Sequence, residues 1–170
     1  MNKKKQKKRG FSLLELLIYI GVLSIIVVVI TNILISLSNS NSQSQARSEV
    51  NSSVRFASEL LQQDLKNASA VSVPSFGNPS TSLTLVRNNK TITYDVSEGV
   101  LRRTEGQNDP SNITNSSVIV SSVTFTRIEN TNAVFDKTNV SIKIKMTFTY
   151  NSAVPSLTYS TSLENTVSLY

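Results

Sequence analysis

The stretch Phe11-Ser-Leu-Leu-Glu-Leu-Leu-Ile-Tyr-Ile-Gly-Val-Leu-Ser-Ile-Ile-Val-Val-Val-Ile30 decides the architecture of this chain. From Phe11 to Leu37 there are 27 residues and one formal charge, Glu15. A helix that crosses a bilayer needs roughly 20 predominantly apolar residues, so the segment is long enough. A buried core helix of a soluble protein is the alternative. Residues 16–30 argue against it, because Tyr19, Gly21 and Ser24 interrupt the run without building a polar face. The pattern therefore predicts a membrane segment over residues 11–37.

Working outward, Lys3, Lys4, Lys5, Lys7, Lys8 and Arg9 place six basic residues in the first ten positions, with no acid among them. A cationic flank on this side predicts residues 1–10 in the cytoplasm and the C-terminal body outside it, in a single pass. The same run accounts for the whole formal charge of +6. Outside it, 11 basic side chains meet 11 acidic ones across the other 160 of 170 residues. The body is neutral, so no direct nucleic-acid binding is predicted. The length accommodates one ordinary domain plus an appendage.

Composition also excludes chemistry. There is no cysteine, hence no disulfide, thiolate metal ligand or cysteine nucleophile, and no histidine to serve as imidazole base or ligand. Scattered carboxylates remain, with neither a glycine-rich phosphate loop nor a basic-aromatic patch beside them. No catalytic, cofactor-binding or metal-ligating residue is predicted, and the chain reads as a non-enzyme. Asp95, Glu98, Glu105 and Asp109 fall in one turn-and-loop stretch. They are spread over 15 residues without a calcium-loop spacing, and read as solvated loop charges.

A secretory signal peptide carries its small-residue cleavage site after the apolar run. Here the small residue, Gly10, precedes it, and Ser38-Asn-Ser-Asn-Ser-Gln-Ser-Gln45 follows it. A cut after Gly10 removes the basic leader and leaves the apolar helix on the mature chain. Glu15 then lies four positions from a new α-amine on Phe11. A carboxylate within a membrane segment costs about 3 kcal/mol on insertion scales, so pairing with that amine, or with a neighbouring chain's, has a clear purpose. Alternatively Glu15 sits at the headgroup boundary, where the cost is small.

The run Lys7-Lys-Arg-Gly-Phe-Ser-Leu-Leu-Glu-Leu-Leu17 resembles the leader of type IV prepilins and type II secretion pseudopilins. Basic leader, Gly-Phe junction, glutamate at the fifth position of the mature chain and uninterrupted apolar helix coincide. The resemblance implies cleavage after Gly10 by a prepilin peptidase/N-methyltransferase, an N-methylated Phe11, and Glu15 as the assembly residue that meets a neighbour's amine. The implied partners are other pilin or pseudopilin subunits and the inner-membrane assembly platform. The implied location is the inner membrane, then a pilus or pseudopilus. No cofactor is implied.

Beyond the membrane segment, Val50, Val54, Ala57, Leu61, Leu65 and Ala68 recur at steps of three and four. Arg47, Glu49, Arg55, Glu59, Asp64 and Lys66 supply charged positions between them. The spacing predicts an amphipathic continuation over 38–70, ended by Pro74, Gly77 and Pro79, with the polar 38–45 run a place for it to bend or fray. From residue 83 the period becomes two. Residues 91–103 predict a hairpin turning at Ser97-Glu-Gly99, and residues 104–117 a loop. Residues 118–125 predict a strand that slips at Ser121-Ser122. The alternation is cleanest over 140–150, with Ile142, Ile144, Met146, Phe148 and Tyr150 on one face, and 156–169 reads as an edge strand. The fold class is α+β. A long N-terminal helix, membrane-embedded in its first half, packs by its second half on a small antiparallel sheet of four to six strands. The segments are a leader (1–10), an assembly helix (11–37), its amphipathic continuation (38–70) and a β-rich domain (71–170).

The acidic helix end Phe56-Ala-Ser-Glu-Leu-Leu-Gln-Gln-Asp-Leu-Lys-Asn-Ala68, with Thr91–Arg103, in which Tyr94, Gly99, Leu101 and Arg103 fill the hairpin places, is similar to J-type pseudopilins and W-type minor pilins. Arg102-Arg103 reads by default as solvent-facing. The expected function is a structural, minor filament subunit. The other reading is an extracytoplasmic binding module or enzyme that uses the N-terminal helix only as an anchor, in which Glu15 has no purpose. An adhesion pilus, a secretion pseudopilus and a DNA-uptake pilus all remain open.

Overall fold

The computed structural model describes residues 12–132 and 137–169. Its chain divides into two compact units, residues 1–41 and 42–170. The first contributes the early part of helix α1, Leu13–Lys66. Residues 38–45 are helical despite the poor propensity of Ser and Asn. Strong helix formers on both sides supply the nucleus, and extending a helix is far easier than starting one. The helix ends at Lys66, and Ala70 already opens a strand.

Within residues 42–170 the buried helix positions are Ala46, Val50, Ser53, Ala57, Leu61, Asp64 and Leu65. Steps of three and four place them on one stripe, as the sequence predicts for Val50, Ala57, Leu61 and Leu65. Val54 packs partly buried beside the core, and Ala68 is buried just past the helix end. Asp64 departs from the expected pattern: it does not stand among the solvated charges but is 1% exposed on the buried stripe.

The β structure forms two antiparallel sheets among the described residues. Strands β1 (Ala70–Val73), β2 (Leu83–Arg87), β3 (Lys90–Ser97), β4 (Val100–Glu105) and β5 (Ser111–Asn112) pair in chain order. Strands β6 (Val118–Asn132), β7 (Lys137–Tyr150) and β8 (Ser160–Ser168) form the second sheet, also in order, with β8 at an edge. The 91–103 hairpin is β3 and β4, joined where Ser97 pairs with Val100. The two linking residues, Glu98 and Gly99, have φ of +52° and +76°. Positive φ at both central residues is the geometry whose twist matches that of the flanking strands. The slip at Ser121-Ser122 is present as a register shift between Val120 and Ser122.

The stretch 104–117 is not wholly a loop. Strand β4 runs on to Glu105, and β5 pairs Asn112 with Arg102 and Ser111 with Arg103. The alternating faces follow the sequence. Ile142, Ile144, Met146 and Phe148 of β7 are buried, with Tyr150 packed partly buried against them. They join Leu83, Leu85, Ile92, Tyr94 and Leu101 of the first sheet and the helix stripe in a single core cluster. Among the described residues the sheets are stitched by backbone hydrogen bonds at two points and by the Arg127 guanidinium, which donates to the Val71 carbonyl at 2.8 Å. Ser80 and Phe125 exchange backbone hydrogen bonds of 2.9 and 2.8 Å, and the Val120 amide donates to the Gly99 carbonyl at 2.8 Å.

Candidate functional site

Among the described residues two places set polar groups among apolar ones: the apolar part of α1 and the buried end of the same helix.

In the apolar part every large hydrophobic side chain from Leu13 to Leu37 is exposed, and an 18-residue window is long and apolar enough to cross a membrane by length and composition. Glu15 lies in the first turn of the helix. There a carboxylate complements the partial positive charge of the unsatisfied amides. One turn on, the Tyr19 hydroxyl donates to Glu15 Oε1 at 3.4 Å. Ser24 Oγ donates to the Ile20 carbonyl at 2.7 Å and Thr31 Oγ1 to the Val27 carbonyl at 2.8 Å. Each hydroxyl is thus satisfied by its own helix, which removes the cost of taking it out of water. Of the processing and assembly residues named above, Glu15 is placed by the structure. Gly10 and Phe11 lie outside the described residues.

At the other end of α1, Asp64 accepts three charge-assisted or buried hydrogen bonds. Arg87 Nη1 lies 2.5 Å from Oδ1, Arg103 Nε 2.7 Å from Oδ2, and the Tyr94 hydroxyl 2.5 Å from Oδ2. Arg103 also reaches Glu105 at 3.0 Å, and Lys90 approaches Glu105 at 3.4 Å. A buried carboxylate persists only when paired and hydrogen-bonded, and this one has donors from three strands. Burial first, then the bond to Asp64, pushes the Tyr94 hydroxyl far above its ordinary pKa. Burial opposes the charge on Arg103, but the bonds to Asp64 and Glu105 outweigh it and raise its pKa. Arg103 foremost, then Lys90, lowers the pKa of Glu105.

The arginine pair is therefore not a simple solvent-facing one. Arg103 turns inward to Asp64, while Arg102 pairs with Asp95 across the hairpin. Of the four carboxylates in the turn-and-loop stretch, Asp95 and Glu105 are taken up by these cations. Among the described residues no group of three or more acidic side chains could hold a metal ion. The Asp64 cluster was missed from sequence because Asp64 falls at a helix position that also fits a solvated charge. A signal was present: residue 64 lies one turn after Leu61 and Leu60 and beside Leu65, on the stripe itself.

Residues 5–31 match the prokaryotic N-terminal methylation motif. The match covers the basic leader from Lys5, Gly10, Phe11, Glu15 and the apolar helix to Thr31. A motif of this kind implies processing by a prepilin peptidase. No curated protein and no solved structure matches the chain significantly. The chain thus joins an N-methylation motif to a pilin-like α+β fold, a long apolar N-terminal helix followed by antiparallel sheets.

Proposed function

We propose that this protein is a structural subunit of a type IV pilus or type II secretion pseudopilus. The methylation motif over residues 5–31 is the observation that carries the reading. Prepilin peptidase cuts after Gly10, methylates the amine of Phe11, and leaves a helix that is anchored in the inner membrane until assembly. The leader stays cytoplasmic and the β-rich part extracytoplasmic, as its six cations require.

Glu15 is the assembly residue in this reading. Held in the first helical turn, it offers a carboxylate to the methylated amine of an adjacent subunit. In an apolar bundle that pair neutralises two charges and sets the register between helices, since any other register leaves both charges unpaired. The uniformly apolar surface behind it packs among neighbouring helices. The work is mechanical, and the sheets supply contact surface rather than catalytic groups.

The union of Asp64, Tyr94 and Arg103 in one cluster favours the minor, J- or W-type assignment. Asp64 lies within the 56–68 helix end, and Tyr94 and Arg103 are two of the hairpin positions, on which that likeness rests; their contact gives them a shared reason to occur together. A minor subunit of this kind starts a filament rather than filling its shaft.

Intact mass and N-terminal sequencing of the membrane-extracted chain, co-expressed with its own prepilin peptidase, test the proposal. A chain beginning at N-methylated Phe11 is expected. A chain still beginning at Met1 sinks it and favours a plain membrane anchor on a binding module or enzyme.

A further inference from the structure

The buried stripe of α1 from Ala46 to Leu65 is apolar or small at every position but one, Asp64. Apolar contact is non-directional, so such a stripe resists being lifted off the sheets more than it resists sliding along its own axis. Asp64 supplies the missing direction. Its carboxylate accepts from Arg87 of β2, Tyr94 of β3 and Arg103 of β4, and hydrogen bonds weaken steeply as their length and angle are strained.

The three strands lie side by side in the order β2-β3-β4. Tyr94 stands directly opposite Arg103, and Arg87 opposite Lys90. Lys90 and Arg103 meet again at Glu105 of β4. Tension on the Asp64 carboxylate is thus shared by strands already bonded edge to edge, not borne by one. Stability alone gives no reason for the arrangement, because replacing a buried ion cluster with apolar side chains of similar volume is often neutral or stabilising. A fixed geometry does.

We propose that the Asp64 cluster is a shear clamp, which locks the axial position of α1 against the first sheet and passes load from the helix into β2, β3 and β4. Its purpose rests on the subunit reading above, in which a chain drawn from the membrane into a filament carries force along its helix. The clamp itself is a property of residues 42–170.

The chain contains no cysteine, so Gln43→Cys and Asn108→Cys give two unique handles. One lies on α1 just before its buried stripe begins, the other on the exposed turn after β4. Optical-tweezer pulling of the full chain in detergent between these handles reads the force at which α1 shears from the sheet. Urea unfolding of the same chain reads the equilibrium. The two measures can part, since forced unfolding follows the barrier and not the equilibrium. Replacing the cluster as a whole (Asp64→Leu, Arg87→Met, Tyr94→Phe and Arg103→Met) is expected to keep urea stability near the native level and to lower the shear force to about half or less. Ile144→Ala, in the buried row of β7, is expected to do the reverse: urea stability falls and the shear force holds.

A shear force that follows urea stability across these variants overturns the clamp, and so does an unchanged force in the replaced cluster. Should the fourfold variant fail to fold, Asp64→Asn, which keeps one acceptor oxygen and loses the charge, is compared with Ile144→Ala. Equal forces at equal urea stability then overturn the clamp. The subunit reading fails separately: a chain that still begins at Met1 beside its peptidase, yet shears at high force, keeps the clamp and loses the filament.

Discussion

The hydroxyl of Tyr94, in the third strand, donates to the carboxylate of Asp64, 30 residues earlier on the helix, at 2.5 Å. With Arg87 and Arg103 on the same carboxylate, the bond ties the end of α1 to three strands of the first sheet. A buried acid near a helix C-terminus is unfavourable on both desolvation and dipole grounds, so the cluster is the condition for its being there.

Replacing Asp64 tests that dependence. Asp64→Ala leaves Arg87 and Arg103 facing each other with the carboxylate gone, and is expected to lower stability by about 3–5 kcal/mol. Tyr94→Phe, which keeps the ring and removes one donor, is expected to cost about 1.5–3 kcal/mol. Urea unfolding of the full chain in detergent, followed by circular dichroism, measures both. Equal and negligible losses would show that the cluster is a crowd of independent side chains.

The raised pKa of Tyr94 gives stability a pH dependence with a definite sign. In the unfolded chain the phenol ionises at its ordinary value near 10. In the folded chain burial and Asp64 keep it protonated beyond that. Its contribution is thus fully present below about pH 10 and is lost as the pH rises further. Stability is expected to fall on the alkaline side, with a smaller fall in Tyr94→Phe. Tyrosinate absorbance should show one phenol that ionises only on unfolding.

Gly99 occupies a position that a side chain cannot share. Its φ is +76°, and a Cβ there would lie 2.8 Å from Ile119 Cγ2. Gly99→Ala is expected to destabilise by about 1–2 kcal/mol from the backbone conformation alone, with the clash added to it. Shortening the neighbour in Gly99→Ala/Ile119→Ala should recover the clash and leave the backbone cost. A double-mutant cycle in chemical denaturation separates the two.

Glu15→Val separates processing from assembly. The cleavage site lies five residues before it, so removal of residues 1–10 is expected to proceed. Assembly is expected to fail, since the mature amine loses its counter-charge. Mass spectrometry of the membrane fraction and recovery of the chain in sheared filaments read the two steps. Filaments at the native level would remove Glu15 from the mechanism.

Much of this was legible from local pattern. Phe11 to Leu37 needs no partner to declare itself, because an apolar run without a polar face has few places to go. The hairpin turning at Glu98-Gly99 and the alternation of Ile142, Ile144, Met146 and Phe148 follow equally from short-range rules of φ and of pleat. The helix stripe Val50, Ala57, Leu61, Leu65 does too.

What local pattern could not carry is everything settled by residues far apart in the chain. Strand β1 has four residues and exists because Val86 and Leu85 lie opposite Ala70 and Val71. The joining of the two sheets depends on Phe125 meeting Ser80, 45 residues earlier. Asp64 is ambiguous by itself, since an acid on a helix is ordinarily solvated. Only packing decides that Arg87, Tyr94 and Arg103, 23 to 39 residues away, converge on it. Periodicity shows which face of an element is buried, while the identity of the groups waiting there is a property of the assembled core.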